Sequence, residues 1–213
     1  MTSIIEPLVE DNRELLIVAH SYGGLVASEA IGEKHTLAHR RANGLEGGVT
    51  KILYYTSFIL PPGVAIPDIM QTNRDSMLDI DLDNDGDTCR PKNPREAFYG
   101  DVKPKKKVDH AVSLLVDHSL SVSWAPASQG VDDQGLAWIH VPSTYVYCDE
   151  DNTITLKCQK EMVKKAKELG AKFDREIKLN SSHSPFLSQP ERCLEIVEEA
   201  CEKAHKGGSM VPM

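Results

Sequence analysis

A serine stands between small residues in Ala19-His-Ser-Tyr-Gly23, directly after the apolar run Leu15–Ala19 and directly before Gly24-Leu-Val-Ala-Ser-Glu-Ala30. Where a strand folds sharply back into a helix, the residue at the bend takes a strained backbone conformation, and the positions two residues to either side need Gly or a small substitute. Ala19 and Gly23 meet that need around Ser21. The chemistry such a turn serves is nucleophilic attack by the hydroxyl. A serine hydroxyl is a poor nucleophile until a base takes its proton, so the turn predicts a histidine and an orienting carboxylate further along the chain.

Eight histidines compete for the role of base. In open parallel sheets the reacting groups gather beyond the carboxyl ends of the strands, which discards most of them. His140 precedes its strand and falls on the wrong side. His183, in Asn180-Ser-Ser-His-Ser-Pro-Phe186, follows the last apolar strand in a short polar loop, and it is the base expected here. For the carboxylate, Tyr145-Val-Tyr-Cys-Asp-Glu-Asp-Asn152 places three acids just past another strand. Asp151 is the first choice and Asp149 the second, with an ordinary surface acid cluster as the remaining alternative.

The elements that must position these groups are legible as short β-branched runs alternating with helical patterns. Strands are expected at Leu15–Ala19, Ile52–Thr56, Thr144–Cys148 and Phe173–Leu179. Helices are expected from Gly23 to about Glu33, over Ile154–Leu169 with Gly170 as the C-cap, and over Glu191–Ala204 with Ile196, Val197 and Ala200 buried. Ile4–Val9 reads as a short amphipathic stretch. The alternation indicates βα units and an α/β fold with a parallel sheet. Residues 1–213 read as a single domain, interrupted by an insertion over about 61–128 and ending in a loose tail at 206–213. One internal helix is expected in the insertion, from about Lys107 to Ser119, with Val108, Ala111, Val112, Leu115 and Val116 on one face.

With 213 residues, 40% hydrophobic and 26% charged, the chain can bury a real core, and its formal net charge of -8 gives no reason to propose nucleic acid or an anionic membrane as a partner. No apolar run reaches the roughly 20 residues of a membrane span, and Met1-Thr-Ser-Ile-Ile-Glu6 does not open like a signal peptide, so a cytoplasmic location is expected. The five cysteines, at 89, 148, 158, 193 and 201, lack CxxC spacing and read as reduced thiols, with Cys193 and Cys201 packing in the last helix. Asp81-Leu-Asp-Asn-Asp-Gly86 imitates the start of an EF-hand loop, but its twelfth position is Lys92 rather than Glu. His35 and His39 have i, i+4 spacing without the Glu of H-E-x-x-H and read as surface residues. Lys103-Pro-Lys-Lys-Lys107 reads as a solvated loop. Trp124, Trp138 and Phe98 read either as pocket lining or as core. No cofactor and no metal is expected.

The chain resembles the α/β-hydrolases of the plant methylesterase and hydroxynitrile-lyase group and their fungal and bacterial esterase-like relatives. The resemblance rests on Ala19-His-Ser-Tyr-Gly-Gly24, Tyr55-Thr-Ser-Phe-Ile-Leu-Pro-Pro-Gly63, Phe98-Tyr-Gly-Asp101, Asp149-Glu-Asp-Asn152 with Gln159, and His183-Ser-Pro-Phe-Leu-Ser188. It covers most of the chain in the family's order. It implies that Ser21, Asp151 and His183 form a catalytic triad, that the 61–128 insertion is a substrate-covering cap, and that the substrate is a small-molecule ester. Hydroxynitrile lyases carry lysine directly after the histidine; Ser184 in its place favours ester hydrolysis.

In one respect the sequence departs from that pattern. Family members place strands β1 to β4, and a loop giving one oxyanion N–H, ahead of the nucleophile, whereas here the nucleophile is residue 21. The backbone N–H of Tyr22 can still face a developing oxyanion. The expectation is an N-terminally truncated product, an incomplete gene model, or a homo-oligomer or other partner covering the bare edge of the Leu15–Ala19 strand. Two alternatives to an esterase follow: a non-catalytic protein that binds a ligand or partner, and a lyase or tailoring enzyme on the same fold.

Overall fold

The structure, a computed structural model, describes residues 1–72 and 79–207. The chain opens with α1 (Thr2–Glu10), β1 (Glu14–His20), α2 (Gly23–Ala30), α3 (Leu37–Ala42) and β2 (Gly48–Tyr55). Then come α4 (Ile66–Thr72), β3 (Ile80–Leu82), β4 (Thr88–Pro91), α5 (Pro94–Phe98), α6 (Lys105–Ser113), β5 (His118–Ser119) and α7 (Leu120–Trp124). It closes with α8 (Ala137–His140), β6 (Ser143–Cys148), α9 (Leu156–Glu168), β7 (Phe173–Leu179), α10 (Pro185–Ser188) and α11 (Pro190–Gly207).

The four apolar runs expected to be strands pair in parallel in the order β1-β2-β6-β7. Their register matters more than their existence. His20 pairs with Tyr55, Tyr55 with Val146, and Cys148 with Leu179, so the residues that follow all four strands emerge along one edge of the sheet. Strand β2, with neighbours on both sides and helices over both faces, is buried at seven of its eight positions, which is why it reads as a continuous apolar run. The outermost strand β7 alternates half-buried and exposed residues instead.

Apolar surface packs on both faces of the sheet. On one side Leu53, Tyr55, Val146 and Leu179 meet Cys193, Ile196 and Ala200 of α11. On the other, Ala19, Ile52, Tyr54 and Tyr145 join Leu25 and Ala27 of α2, Trp138 of α8 and Met162 and Val163 of α9. At roughly 25 cal/mol per Å² of apolar area buried, these two layers hold the strand ends in place. Strand β1 pairs with β2 alone among the described residues, and its Val18 is 53% exposed.

The segment between β2 and β6 makes its own antiparallel sheet, β3-β4-β5. Several expectations for it need correction. The helix expected to reach Ser119 stops at Ser113, where the serine hydroxyl folds back on the His110 carbonyl at 2.7 Å. His118 and Ser119 are instead a strand paired with Cys89 and Thr88, and Val116, expected to share a helix face with Val108, lies beyond the helix and is 81% exposed. The Lys103–Lys107 run is not a loop throughout: its last three lysines open α6, and Lys107 donates to the Leu187 carbonyl at 2.6 Å. The Asp81–Gly86 segment is part of the β3–β4 hairpin, where Asp83 Oδ1 accepts from the N–H groups of Asp87 (2.8 Å) and Thr88 (3.2 Å).

Three corrections lie elsewhere. His35 is buried because its Nδ1 accepts from the Gly32 N–H at 3.0 Å; it precedes α3 rather than sharing a helix face with the exposed His39. Cys201 is exposed while Cys193 packs in the core. Of the tail expected over 206–213, residues 206 and 207 belong to α11, and 208–213 lie outside the described residues. Among the described residues no helix is long and apolar enough to cross a membrane.

Candidate active site

Ser21 follows β1 directly, and its backbone φ is 52°, in the left-handed region that L-residues avoid. The bend is held from several sides. The Ser21 N–H donates to the Tyr55 carbonyl at 3.3 Å, its carbonyl accepts from Phe58 at 3.0 Å and Gly24 at 3.1 Å, and Ser57 Oγ donates to the Ala19 carbonyl at 3.0 Å. The glycine that the turn requires is not the one expected. A Cβ on Gly23 would meet nothing within 4 Å among the described residues, whereas one on Gly24 would lie 2.4 Å from Ser57 Cβ and 2.7 Å from the Phe58 carbonyl oxygen. Close approach of α2 to the segment after β2 sets the constraint, one residue further along than the pentapeptide suggests.

The loop after β7 brings His183 to this serine: Nε2 lies 2.9 Å from Ser21 Oγ. Its Nδ1 lies 2.8 Å from Asp151 Oδ2, in the loop after β6. A carboxylate can only accept, so Nδ1 carries the proton and Nε2 presents a lone pair to the serine hydroxyl. His183 and Asp151 are 3% and 4% exposed, so the pair lies away from bulk water. Asp149, the second choice, points elsewhere: Lys178 Nζ sits 3.0 Å from one oxygen, and the other is buried without a partner among the described residues. His140 bonds the Gln134 carbonyl at 2.8 Å.

Asp151 is anchored by more than the histidine. Its Oδ1 accepts from the N–H groups of Thr153 at 2.7 Å and Ile154 at 2.9 Å, and its Oδ2 also accepts from Thr56 Oγ1. Thr56 carried no role in the sequence reading although it stands in the Tyr55–Gly63 segment. Its position follows from strand register, since Thr56 continues β2 beside β6 and donates its own N–H to Val146 at 2.9 Å. Donors converging on both oxygens fix the orientation of the carboxylate.

His20, immediately before the serine, has no role expected from sequence. Its Nε2 lies 2.7 Å from the His183 carbonyl, and its ring centroid is 4.6 Å from that of His183 and 5.0 Å from Phe186. Burial first, and the neighbouring His183 ring second, push its pKa down from 6.5 to about 3. It therefore stays neutral and donates through Nε2–H. The only sequence signal was adjacency to Ser21.

The β3-β4-β5 segment and the helices around it approach the same place. The Phe98 ring lies 5.5 Å from the His183 ring, and His118 of β5 meets Tyr22 edge-on at 5.2 Å. Of the three aromatics weighed from sequence, Phe98 is therefore at the site, Trp138 is wholly buried in the core, and Trp124 is 61% exposed. Tyr22 precedes the first turn of α2, and its N–H donates to no group among the described residues. Such a free N–H, at a helix start beside the serine, is suited to meet negative charge.

The sequence model of the Alpha/beta hydrolase family matches residues 2–196. An alpha/beta hydrolase of Aspergillus novofumigatus (strain IBT 16806), nvfD, is 26% identical over 207 residues, covering 92% of this chain and 73% of that protein. Among solved structures, the methylesterase MES16 from Arabidopsis matches with a TM-score of 0.63 at 16% identity, over 94% of this chain and 74% of that one. A pyrethroid hydrolase from Sphingobium faniae JZ-2 matches with a TM-score of 0.60 at 18% identity, over 92% and 74%. At such identities the structural matches establish the fold, an α/β-hydrolase sheet, and leave chemistry to be argued from the site.

Proposed function

The chain belongs to the alpha/beta hydrolase family, and on that premise we propose that it is a serine hydrolase acting on a small-molecule carboxylic ester. The observation that carries the reading is the unbroken hydrogen-bonded path from Ser21 Oγ through His183 (2.9 Å) to Asp151 (2.8 Å). In this reading Ser21 Oγ attacks the ester carbonyl as its proton passes to His183 Nε2. Asp151 holds the imidazole in the Nδ1–H tautomer and stabilises the cation that forms. The Tyr22 N–H faces the oxyanion. Collapse of the tetrahedral intermediate breaks the bond to the leaving alkoxide, which takes the proton from Nε2 and departs as the alcohol. A water then gives its proton to the same nitrogen as its oxygen attacks the acyl group. The acid is released with Ser21 restored, and the residues named need no cofactor.

The test is hydrolysis of p-nitrophenyl esters of increasing acyl length. The expected outcome is turnover that Ser21→Ala and His183→Gln each abolish; equal turnover by the wild type and Ser21→Ala contradicts the reading. A second reading, binding of a partner polypeptide without turnover, is favoured by the outer side of β1, which pairs with no strand among the described residues, with Val18 53% exposed. A wild-type chain that neither turns over esters nor runs as a monomer in sedimentation supports that reading over the first.

A further inference from the structure

The last carbonyls of a helix have no partner inside it. In α5 these groups turn toward the two loops that carry Asp151 and His183. Asn152 Nδ2 donates to the Glu96 carbonyl at 3.0 Å and Thr153 Oγ1 to Ala97 at 2.9 Å, while Ser182 Oγ stands 3.4 Å from the Phe98 carbonyl. Asn152 and Thr153 follow Asp151 directly, and Ser182 directly precedes His183. One short helix outside the main sheet therefore grips both loops.

Asp101, just past α5, adds a carboxylate to this grip by accepting from Ser182 Oγ. The loop it holds needs such an acceptor, because Ser181, Ser182, His183 and Ser184 are all buried, at 0 to 3% exposure, and buried hydroxyls require partners. Ser181 Oγ and Ser188 Oγ stand 3.0 Å apart beside the same carboxylate. Burial acts to raise the Asp101 pKa, but hydrogen bonds from Ser182, Ser188 and Ser181 together outweigh it and hold the group below its ordinary value.

We propose that Asp101 is a positioning residue: acting through Ser182, it fixes the backbone of His183 and with it the reach of Nε2 to Ser21 Oγ. Its importance for activity rests on the reading of Ser21 as nucleophile. Its importance for geometry does not, and the test separates the two.

In the full chain, the rate of labelling by a fluorophosphonate and kcat and KM on a p-nitrophenyl ester are measured for wild type, Asp101→Ala, Asp101→Asn, Ser182→Ala and the Asp101→Ala/Ser182→Ala double variant. Proton NMR follows the downfield Nδ1–H resonance of His183 in each. A misplacement on the order of 1 Å can cost about 100-fold, so Asp101→Ala is expected to lower labelling and kcat by tenfold or more with KM little changed. Asp101→Asn keeps an oxygen acceptor and restores most of the loss. The double variant is no worse than either single one, as expected of two groups acting through one bond.

Wild-type rates in Asp101→Ala, an Asn variant as slow as the Ala variant, or additive losses overturn the proposal. If Asp101→Ala does not fold, a slow Ser182→Ala beside a fast Asp101→Asn supports the proposal, and a fast Ser182→Ala overturns it. If the wild type is not labelled at all, the nucleophile reading fails. The resonance then decides alone: loss in Asp101→Ala with retention in Asp101→Asn supports positioning, and an unchanged resonance in Asp101→Ala overturns it.

Discussion

The Nε2–H of His20 donates to the carbonyl of His183 across 2.7 Å, so the residue before the nucleophile holds the backbone of the residue that bonds it. The contact couples β1 to the loop after β7, two strands that share no ladder in the β1-β2-β6-β7 sheet. It also gives the fold a pH dependence. The His20 pKa falls from 6.5 to about 3 on folding. Above the unfolded value both states are neutral at this residue and its full contribution to stability is present. As the pH drops below about 6.5, the unfolded chain takes a proton that the native state refuses, and stability falls with pH until the folded value is reached, by up to about 1.4 kcal/mol per unit. Urea unfolding across the mildly acidic range is expected to show this slope in the wild type and a shallower one in His20→Phe; equal slopes contradict the assignment.

The two glycines after the serine are predicted to differ sharply. Gly24→Ala forces a Cβ to within 2.4 Å of Ser57 Cβ and 2.7 Å of the Phe58 carbonyl, while Gly23→Ala enters open space. Overpacking of this kind costs about 1–3 kcal/mol. Chemical denaturation should show that loss for Gly24→Ala and a change near zero or slightly favourable for Gly23→Ala.

At Ser21 the backbone itself is a stability reporter. Its φ of 52° is strained for any residue with a Cβ and relaxed for glycine. Ser21→Gly and Ser21→Ala both delete the hydroxyl, yet the glycine variant is expected to be more stable than the alanine variant by about 1 kcal/mol. Identical denaturation midpoints would show that the bend stores no strain.

Thr56 tests the anchoring of the carboxylate. Thr56→Val keeps the shape and removes the hydroxyl that donates to Asp151 Oδ2. Losing one hydrogen bond to a charged group costs about 1.5 kcal/mol, so esterase turnover is expected to fall about tenfold with little change in KM. An unchanged kcat would place the orienting of Asp151 entirely on the N–H groups of Thr153 and Ile154.

Much of the site was legible because its signals are local. An apolar run followed by a serine between small residues points to a bend at Ser21, although the glycine that bend requires is Gly24, and the strands at 173–179 and around 52 and 144 announce themselves by composition. Ser21 and His183 each follow such a run, whereas Asp151 shares its place after a run with Asp149 and Glu150, and only the contact with His183 Nδ1 separates them. Thr56 and His20 were not legible as partners, since what joins them to Asp151 and His183 is register across strands far apart in sequence, which no spacing encodes. The end of the helix expected over Lys107–Ser119 was not legible for a related reason. The apolar periodicity continuing past Ser113 was overridden by pairing of His118 and Ser119 with β4, a tertiary contact that outweighs helix propensity. His35 was misjudged as a surface residue because the N–H it accepts from is exposed only by the turn at Gly32.

If His183 and Asp151 activate the Ser21 hydroxyl, the serine reacts with a fluorophosphonate, and labelling of the whole chain is read by peptide mass spectrometry. The expected result is one covalent adduct on the peptide containing Ser21, absent in Ser21→Ala and strongly slowed in His183→Gln. A wild-type chain that stays unlabelled, or labelling that persists in Ser21→Ala, would contradict it.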